Sequence, residues 1–277
     1  MILQIPAADF GAAALGGITR VVNGMPATNL LGLYLFEDGA VDDEVGIAVD
    51  SSGNGNHALT RSGWPNAVKT AYGVKTPDNN GLCFVTPIPL NPAGRQLTAF
   101  VCGVNHLEGN SSGDYNNWIG QSVTADMDTP GAQHPNDDAV VLNYDGTGTP
   151  GHYQLYDNGG TIQGAATTGS AGPVTYDQNG VAGIDVDAVA GAVKLHQLGF
   201  AMASRSAAGI PAFYDGATDR GFLSFGPWSH GATRSVNDVI GEAYAVAIYG
   251  RTFSETEAQT YMQYLADRVA LRGVTFP

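Results

Sequence analysis

Residues 30–36 read Leu-Leu-Gly-Leu-Tyr-Leu-Phe, apolar at nearly every position and closed off by Glu37-Asp38-Gly39. A run this short is either a strand buried on both faces or a short buried helix, which periodicity alone does not separate; the internal glycine and the abrupt acidic stop favour the strand. A strand without a polar face has to lie inside a layered structure, such as the inner layer of a sandwich. The segment that follows, Asp50-Ser51-Ser52-Gly53-Asn54-Gly55-Asn56-His57, combines glycines that accept positive φ with short polar side chains that bond their own backbone. Such a loop is held by its own hydrogen bonds or by an ion.

The rest of the chain continues in short apolar pieces cut by turns. With 38 glycines and 14 prolines in 277 residues, short strands are favoured over long helices. Residues 67–85 give two strand-like pieces around Pro77-Asp78-Asn79-Asn80-Gly81, and Gln96–Val104 is apolar on both faces and therefore central. Residues 139–144 and 151–156 form a strand pair, and further strand-like segments occur at 192–204, 212–216 and 240–249. The end of the chain differs. Ser254 and Glu257 form a capping box, and Ala258, Tyr261, Met262, Leu265 and Val269 recur at helical spacing, which predicts an amphipathic helix over 254–272. No repeat, charge run or linker divides the sequence, so 25–277 is expected to form one domain, with the Ala- and Gly-rich residues 1–24 as an N-terminal arm or anchoring segment.

Leu33–Asp38, Asp50–Leu59 and the segment Ile248-Tyr249-Gly250-Arg251-Thr252-Phe253-Ser254-Glu255-Thr256-Glu257 together resemble the LamG-like jelly-roll domains of the concanavalin A-like lectin and glucanase group. The resemblance implies an all-β fold, a two-sheet antiparallel jelly-roll sandwich with one C-terminal amphipathic helix. It also implies that the Asp50 loop lies against the strand before that helix, which contains Glu242. Asp50, Asn54, Asn56 and Glu242 are then candidate ligands of a structural calcium ion (Ca2+), which takes oxygen donors in flexible geometry.

Catalytic signatures do not fit their surroundings. Gly109-Asn110-Ser111-Ser112-Gly113 has the spacing of a nucleophile elbow but lies in a polar loop, and Gly146–Gly151 matches a phosphate-binding glycine pattern but is followed by a strand. The E-x-D-x-x-E of the group's glucanases is absent, the pairs Asp185/Asp187 and Asp42/Glu44 read as solvated edges, and the six histidines lack zinc spacing. The chain is therefore expected not to be an enzyme. For carbohydrate binding, aromatic rings beside amides are the residues to seek, namely Trp118 with Asn117, and Trp228 beside Ser229 and His230, with Trp64 near Asn66 as a further case.

Composition narrows the partners. Twelve basic against 26 acidic residues, a formal net charge of −14, would repel phosphates and anionic lipids, and no Lys or Arg cluster offsets this. Nucleic acid is excluded as a partner, and no apolar run is long enough for membrane insertion. Cys83 and Cys102 lie in apolar runs and read as free buried thiols. The opening MILQIPAADFGAAALGG has no basic residue and is interrupted by Pro6, Asp9 and Gly11, so it is not read as a signal peptide. Its start also resembles openings of bacteriophage proteins of this lectin-like type. The resulting expectation is a lectin-like structural protein of a virion, in the tail or decorating the particle. It would meet other virion proteins through the arm, bind host surface glycan and tolerate a homo-oligomeric state. A glycoside hydrolase of the same fold and a bacterial surface adhesin module are the alternatives.

Overall fold

The computed structural model describes residues 21, 22, 24–61, 64–77, 82–89, 94–106, 116–121, 140–144, 150–155, 166–167, 177–206, 221–229 and 240–277. Most of the expected N-terminal arm, the strand at 212–216 and the Gly109–Gly113 match lie outside the described residues.

Two antiparallel sheets carry the fold. One contains β3 (Leu30–Tyr34), β4 (Glu44–Val45), β7 (Ala67–Lys69), β8 (Val74–Lys75), β10 (Gln96–His106), β15 (Gly180–Asp187), β16 (Ala192–Gln197), β17 (Ala203–Ser206) and β19 (Ile240–Tyr249). The other contains β5 (Ile47–Ala48), β6 (Ala58–Thr60), β9 (Phe84–Pro89), β11 (Asn116–Gln121), β12 (Val140–Tyr144), β13 (Pro150–Leu155), β14 (Ala166–Thr167) and β18 (Phe222–Ser229). A ribbon of β1 (Val21–Val22) and β2 (Met25–Pro26) stands apart, and the helix α1 spans Glu255–Ala270.

In the first sheet the order is β17-β16-β15-β10-β19-β8-β7-β4, and β3 also pairs with β19. Thus β19 has β10 along one edge, while β8 (Lys75 opposite Glu242) and β3 (Tyr34 opposite Val246) share the other. The second sheet runs β14-β13-β12-β11-β18-β9-β6-β5.

The period-two geometry of strands divides the apolar residues between two cores. From β10, Leu97, Ala99 and Val101 enter the space between the sheets, where they join Tyr34, Phe84, Phe225, Val246 and Ile248. From the same strand, Phe100, Cys102 and Val104 face the opposite way and meet Leu33, Tyr249, Phe253 and the helix. This accounts for strands without a polar face: the first sheet is covered by the second sheet on one side and by α1 on the other.

The predicted helix is present and begins as its sequence signals. Ser254 caps it, with Glu257 N–H donating to Ser254 Oγ at 3.3 Å and Ser254 N–H donating to Glu257 Oε2 at 3.1 Å. These bonds and the Arg251 side chain hold the Glu257 carboxyl below its ordinary pKa. Ala258, Tyr261, Met262, Leu265, Ala266 and Val269 form its buried stripe. Cys83 and Cys102 are free and buried, and burial pushes the Cys83 thiol up to about 11. No helix among the described residues is long and apolar enough to cross a membrane.

Candidate functional site

The Asp50 loop is bonded to protein throughout. Asp50 is 6% exposed; its Oδ1 accepts from Leu33 N–H (3.0 Å) and Ser52 N–H (2.8 Å), and its Oδ2 from Ser52 Oγ (2.8 Å) and Asn56 N–H (3.0 Å). Burial alone would raise its pKa, but these four bonds together hold it below the ordinary value. Asn54 Nδ2 donates to Leu30 O (2.7 Å), Asn56 Nδ2 donates to Leu31 O (2.8 Å), and Tyr34 Oη donates to Asn56 O (2.6 Å). Gly53 and Gly55, at φ +86° and +79°, supply the left-handed backbone the loop needs.

Those residues do not fit the expected calcium ion. An ionised carboxylate offers about four acceptor positions, and all four of Asp50 are occupied by protein donors. Glu242 is also elsewhere. Asp50 bridges to Tyr34, which lies opposite Val246, four residues or about 13 Å along the strand from Glu242. Glu242 itself accepts from Thr70 Oγ1. Among the described residues, no group of three or more His, Cys, Asp or Glu is placed to share a metal ion.

The tryptophans divide. Trp118 is 3% exposed in the core between the sheets, where it presents no face to a sugar. Its burial depends on Gly103 of β10, because a Cβ there would fall 2.7 Å from Trp118 Cη2. Asn117 and Trp228 are direct partners across β11 and β18, with Asn116 opposite Ser229 on the adjoining rung. Backbone register thus brings together two of the three predicted sugar-binding residues. Trp64 carries the Arg61 guanidinium 5.5 Å from its ring centroid.

Asp185 is not the solvated edge its sequence suggests. It is wholly buried under the turn into α1, where Oδ2 accepts from Phe253 N–H at 2.6 Å, while Lys194 Nζ donates to Phe253 O at 2.8 Å. Lys194 Nζ and His196 Nε2 lie 3.5 and 3.7 Å from Asp185 Oδ2. The pair of strands therefore clamps both backbone polar groups of one residue, Phe253, just before the helix begins. Asp187 accepts from Val189 and Ala190 N–H in the hairpin turn.

A cleft of about 670 Å³ that no sequence motif marks lies beside the helix. It is lined by Gln178 and Asn179 before β15, Gln197 at the end of β16, Phe200 after it, Gln263 of α1, and Phe276. Its walls are pinned by amides. Gln259 Nε2 donates to Gln197 O (2.8 Å) and Phe200 O (2.9 Å), and its Oε1 accepts from Gly199 N–H (2.9 Å). Asn179 Nδ2 donates to Thr275 O at 2.8 Å, and its Oδ1 accepts from Tyr244 Oη at 2.8 Å. Phe200 remains 38% exposed. The one signal available in the sequence was Gln259 and Gln263, four residues apart and so neighbours on one helix face.

No protein-family profile matches the chain, and no curated protein matches it. Among solved structures it is similar to Trypanosoma rangeli sialidase in complex with 2,3-difluoro-KDN, at TM-score 0.55 and 15% identity over 96% of this chain and 36% of that one. It is similar to the same sialidase in complex with sialic acid, at TM-score 0.54 and 16% identity over 87% and 33%. The botulinum neurotoxin serotype D ligand binding domain in complex with N-acetylneuraminic acid gives TM-score 0.52 and 10% identity over 88% and 52%. The chain thus spans about a third of the sialidase chains and half of the toxin domain. Likeness at this identity carries the fold. It also corrects one expectation from sequence: since sialidases are enzymes, a sandwich shared with them gives no ground for the reading that this chain is not one. What the structure and its neighbours establish is a protein of two antiparallel sheets and a C-terminal helix, with a fold found in proteins solved with sugar acids.

Proposed function

We propose that this chain is a carbohydrate-binding sandwich of the concanavalin A-like jelly-roll kind, and that it seats a sugar in the cleft between α1 and the turn at 197–200. The observation that carries the reading is the cleft, which is of small-molecule size and joins amide groups to the partly exposed Phe200. Fold likeness to proteins solved with sialic acid and N-acetylneuraminic acid supports a sugar as the ligand class. Asn117 and Trp228 are proposed as a separate place of sugar contact. A glycan array probed with the native chain, Phe200→Ala and Trp228→Ala tests both places. Retention of a glycan that is lost in one variant assigns the site, and an array without retained glycan overturns the proposal.

The sialidase likeness favours a second reading, cleavage of a glycosidic bond. Release of the fluorophore from methylumbelliferyl glycosides is its test, and no release above a heat-denatured control removes it. A virion setting, reached through residues 1–24, belongs to the proposal on the strength of the sequence alone. Mass spectrometry of purified bacteriophage particles that lack the protein would remove that part.

A further inference from the structure

We infer that the ligand of the helix-side cleft is a neutral glycan, such as a hexose or N-acetylhexosamine unit, and that acidic sugars are discriminated against there. The inference rests on the reading of this cleft as a sugar site and concerns which sugars it admits. Its basis is the charge of the described lining and the partners of the described cations around it.

Among the described lining residues there is no Lys, Arg or His. Five described basic side chains on the surrounding elements are engaged elsewhere. Lys194 donates to Phe253 O, and Arg251 pairs with Glu257 at 3.1 Å while covering the Phe253 ring at 3.9 Å. Arg268 pairs with Glu37 at 2.7 Å, and Arg272 donates to Leu35 O and Tyr244 O. His106 is drawn to Asp177 at 2.9 Å. The charges that do approach the cleft walls are carboxylates: Asp267 accepts from Gln263 Nε2 at 2.8 Å, and Glu255 accepts from Met202 N–H at 2.9 Å. A sugar carboxylate entering here would lose its hydration without gaining a charge-assisted partner, inside a chain of net charge −14.

The unspent polar groups suit hydroxyls instead. Among the described residues, the side-chain amides of Gln178 and Gln197 and the Oε1 of Gln263 have no hydrogen-bond partner. An amide both donates and accepts, as does a sugar hydroxyl, so either orientation of a vicinal diol can be matched without a net charge. Phe200 adds a ring against which the C–H face of a pyranose can lie. Gln259, whose amide is fully used, holds the turn that presents Phe200 and is a positioning residue.

The test uses the full chain with lactose, N-acetyllactosamine and their sialylated forms, titrated at low and high salt. The expected result is binding of a neutral member, a loss of roughly tenfold or more on sialylation, and affinity that changes less than about twofold with salt. Phe200→Ala should weaken the neutral sugar roughly tenfold with an unchanged melting temperature, and Gln263→Lys should recover the sialylated form. Tighter binding of the sialylated sugar, or binding that salt abolishes, overturns the inference and leaves the carbohydrate reading standing. Binding that neither Phe200→Ala nor Gln263→Lys alters overturns the cleft assignment and the inference with it. Absence of any binding overturns both.

Discussion

The Asp50 loop and the helix-side cleft are built from the same kind of residue and do opposite things with it. In the loop, Asp50, Ser52, Asn54 and Asn56 direct their polar atoms into the protein, and the carboxylate alone accepts from four donors. In the cleft, Gln259 and Asn179 are spent on the walls, while Gln178, Gln197 and one oxygen of Gln263 are not. A polar, Gly- and Asn-rich segment is therefore no sign of a binding site by itself. What separates the two is whether hydrogen-bonding capacity is left over once the fold has taken its share.

The sharpest way to break this contrast is Asp50→Ala. It strands four donors beneath β3 and should lower stability by about 4 kcal/mol, read as the midpoint of chemical denaturation, without changing sugar affinity in the molecules that remain folded. Acid acts on the same group. Because the folded carboxyl is held below its ordinary pKa, its contribution is complete above about pH 3.9 and is lost as pH falls through the depressed folded value. Asp50→Asn, less stable throughout, should show a flatter acid limb in thermal melts from pH 5 to pH 2.

Gln259→Ala tests a cleft residue that behaves like a loop residue. Loss of its three bonds should cost about 2 kcal/mol and weaken sugar binding, because the turn carrying Phe200 is released. Phe200→Ala should do the reverse, with stability changed by less than about 0.5 kcal/mol and affinity lowered by about 1.4 kcal/mol, as measured by calorimetry on one preparation. The smallest expected effect is that of a chelator. With the Asp50 oxygens bonded to protein, the melting temperature should not move, and a drop of several degrees would return the loop to the list of ion sites.

Sequence pattern carried the fold further than the site. Leu30–Tyr34 and Gln96–Val104 were legible as strands covered on both faces because absence of a polar face requires such cover, and the capping box at Ser254 and Glu257 marked the start of the helix. The choice between a self-bonded loop and an ion site at Asp50 was left open by composition, and only the direction of each side chain decides it. Trp118 looked like a sugar platform because its neighbours are asparagines. Its burial was invisible because the space for its ring is made by Gly103 on a strand of the other sheet. Asp185 and Asp187 alternate onto one strand face, but which of them is covered depends on a turn almost 70 residues later, where Phe253 N–H meets Asp185. The cleft had no local signal, since its lining comes from residues 178–200, from α1 and from Phe276.

The position of β19 also constrains how the protein can be made. This strand is the last of the described strands in chain order, yet it lies between β10 and the pair β3 and β8. Until the ribosome has released residues 240–249, the edges of β10, β3 and β8 that β19 pairs with are open, and the first sheet exists as three unjoined pieces, β17-β16-β15-β10, β8-β7-β4 and β3. Open strand edges with apolar faces associate with whatever strands are nearby. A nascent chain that stops short of these residues should therefore depend on chaperones or aggregate, and the sheet should close only after residues 240–249 have emerged.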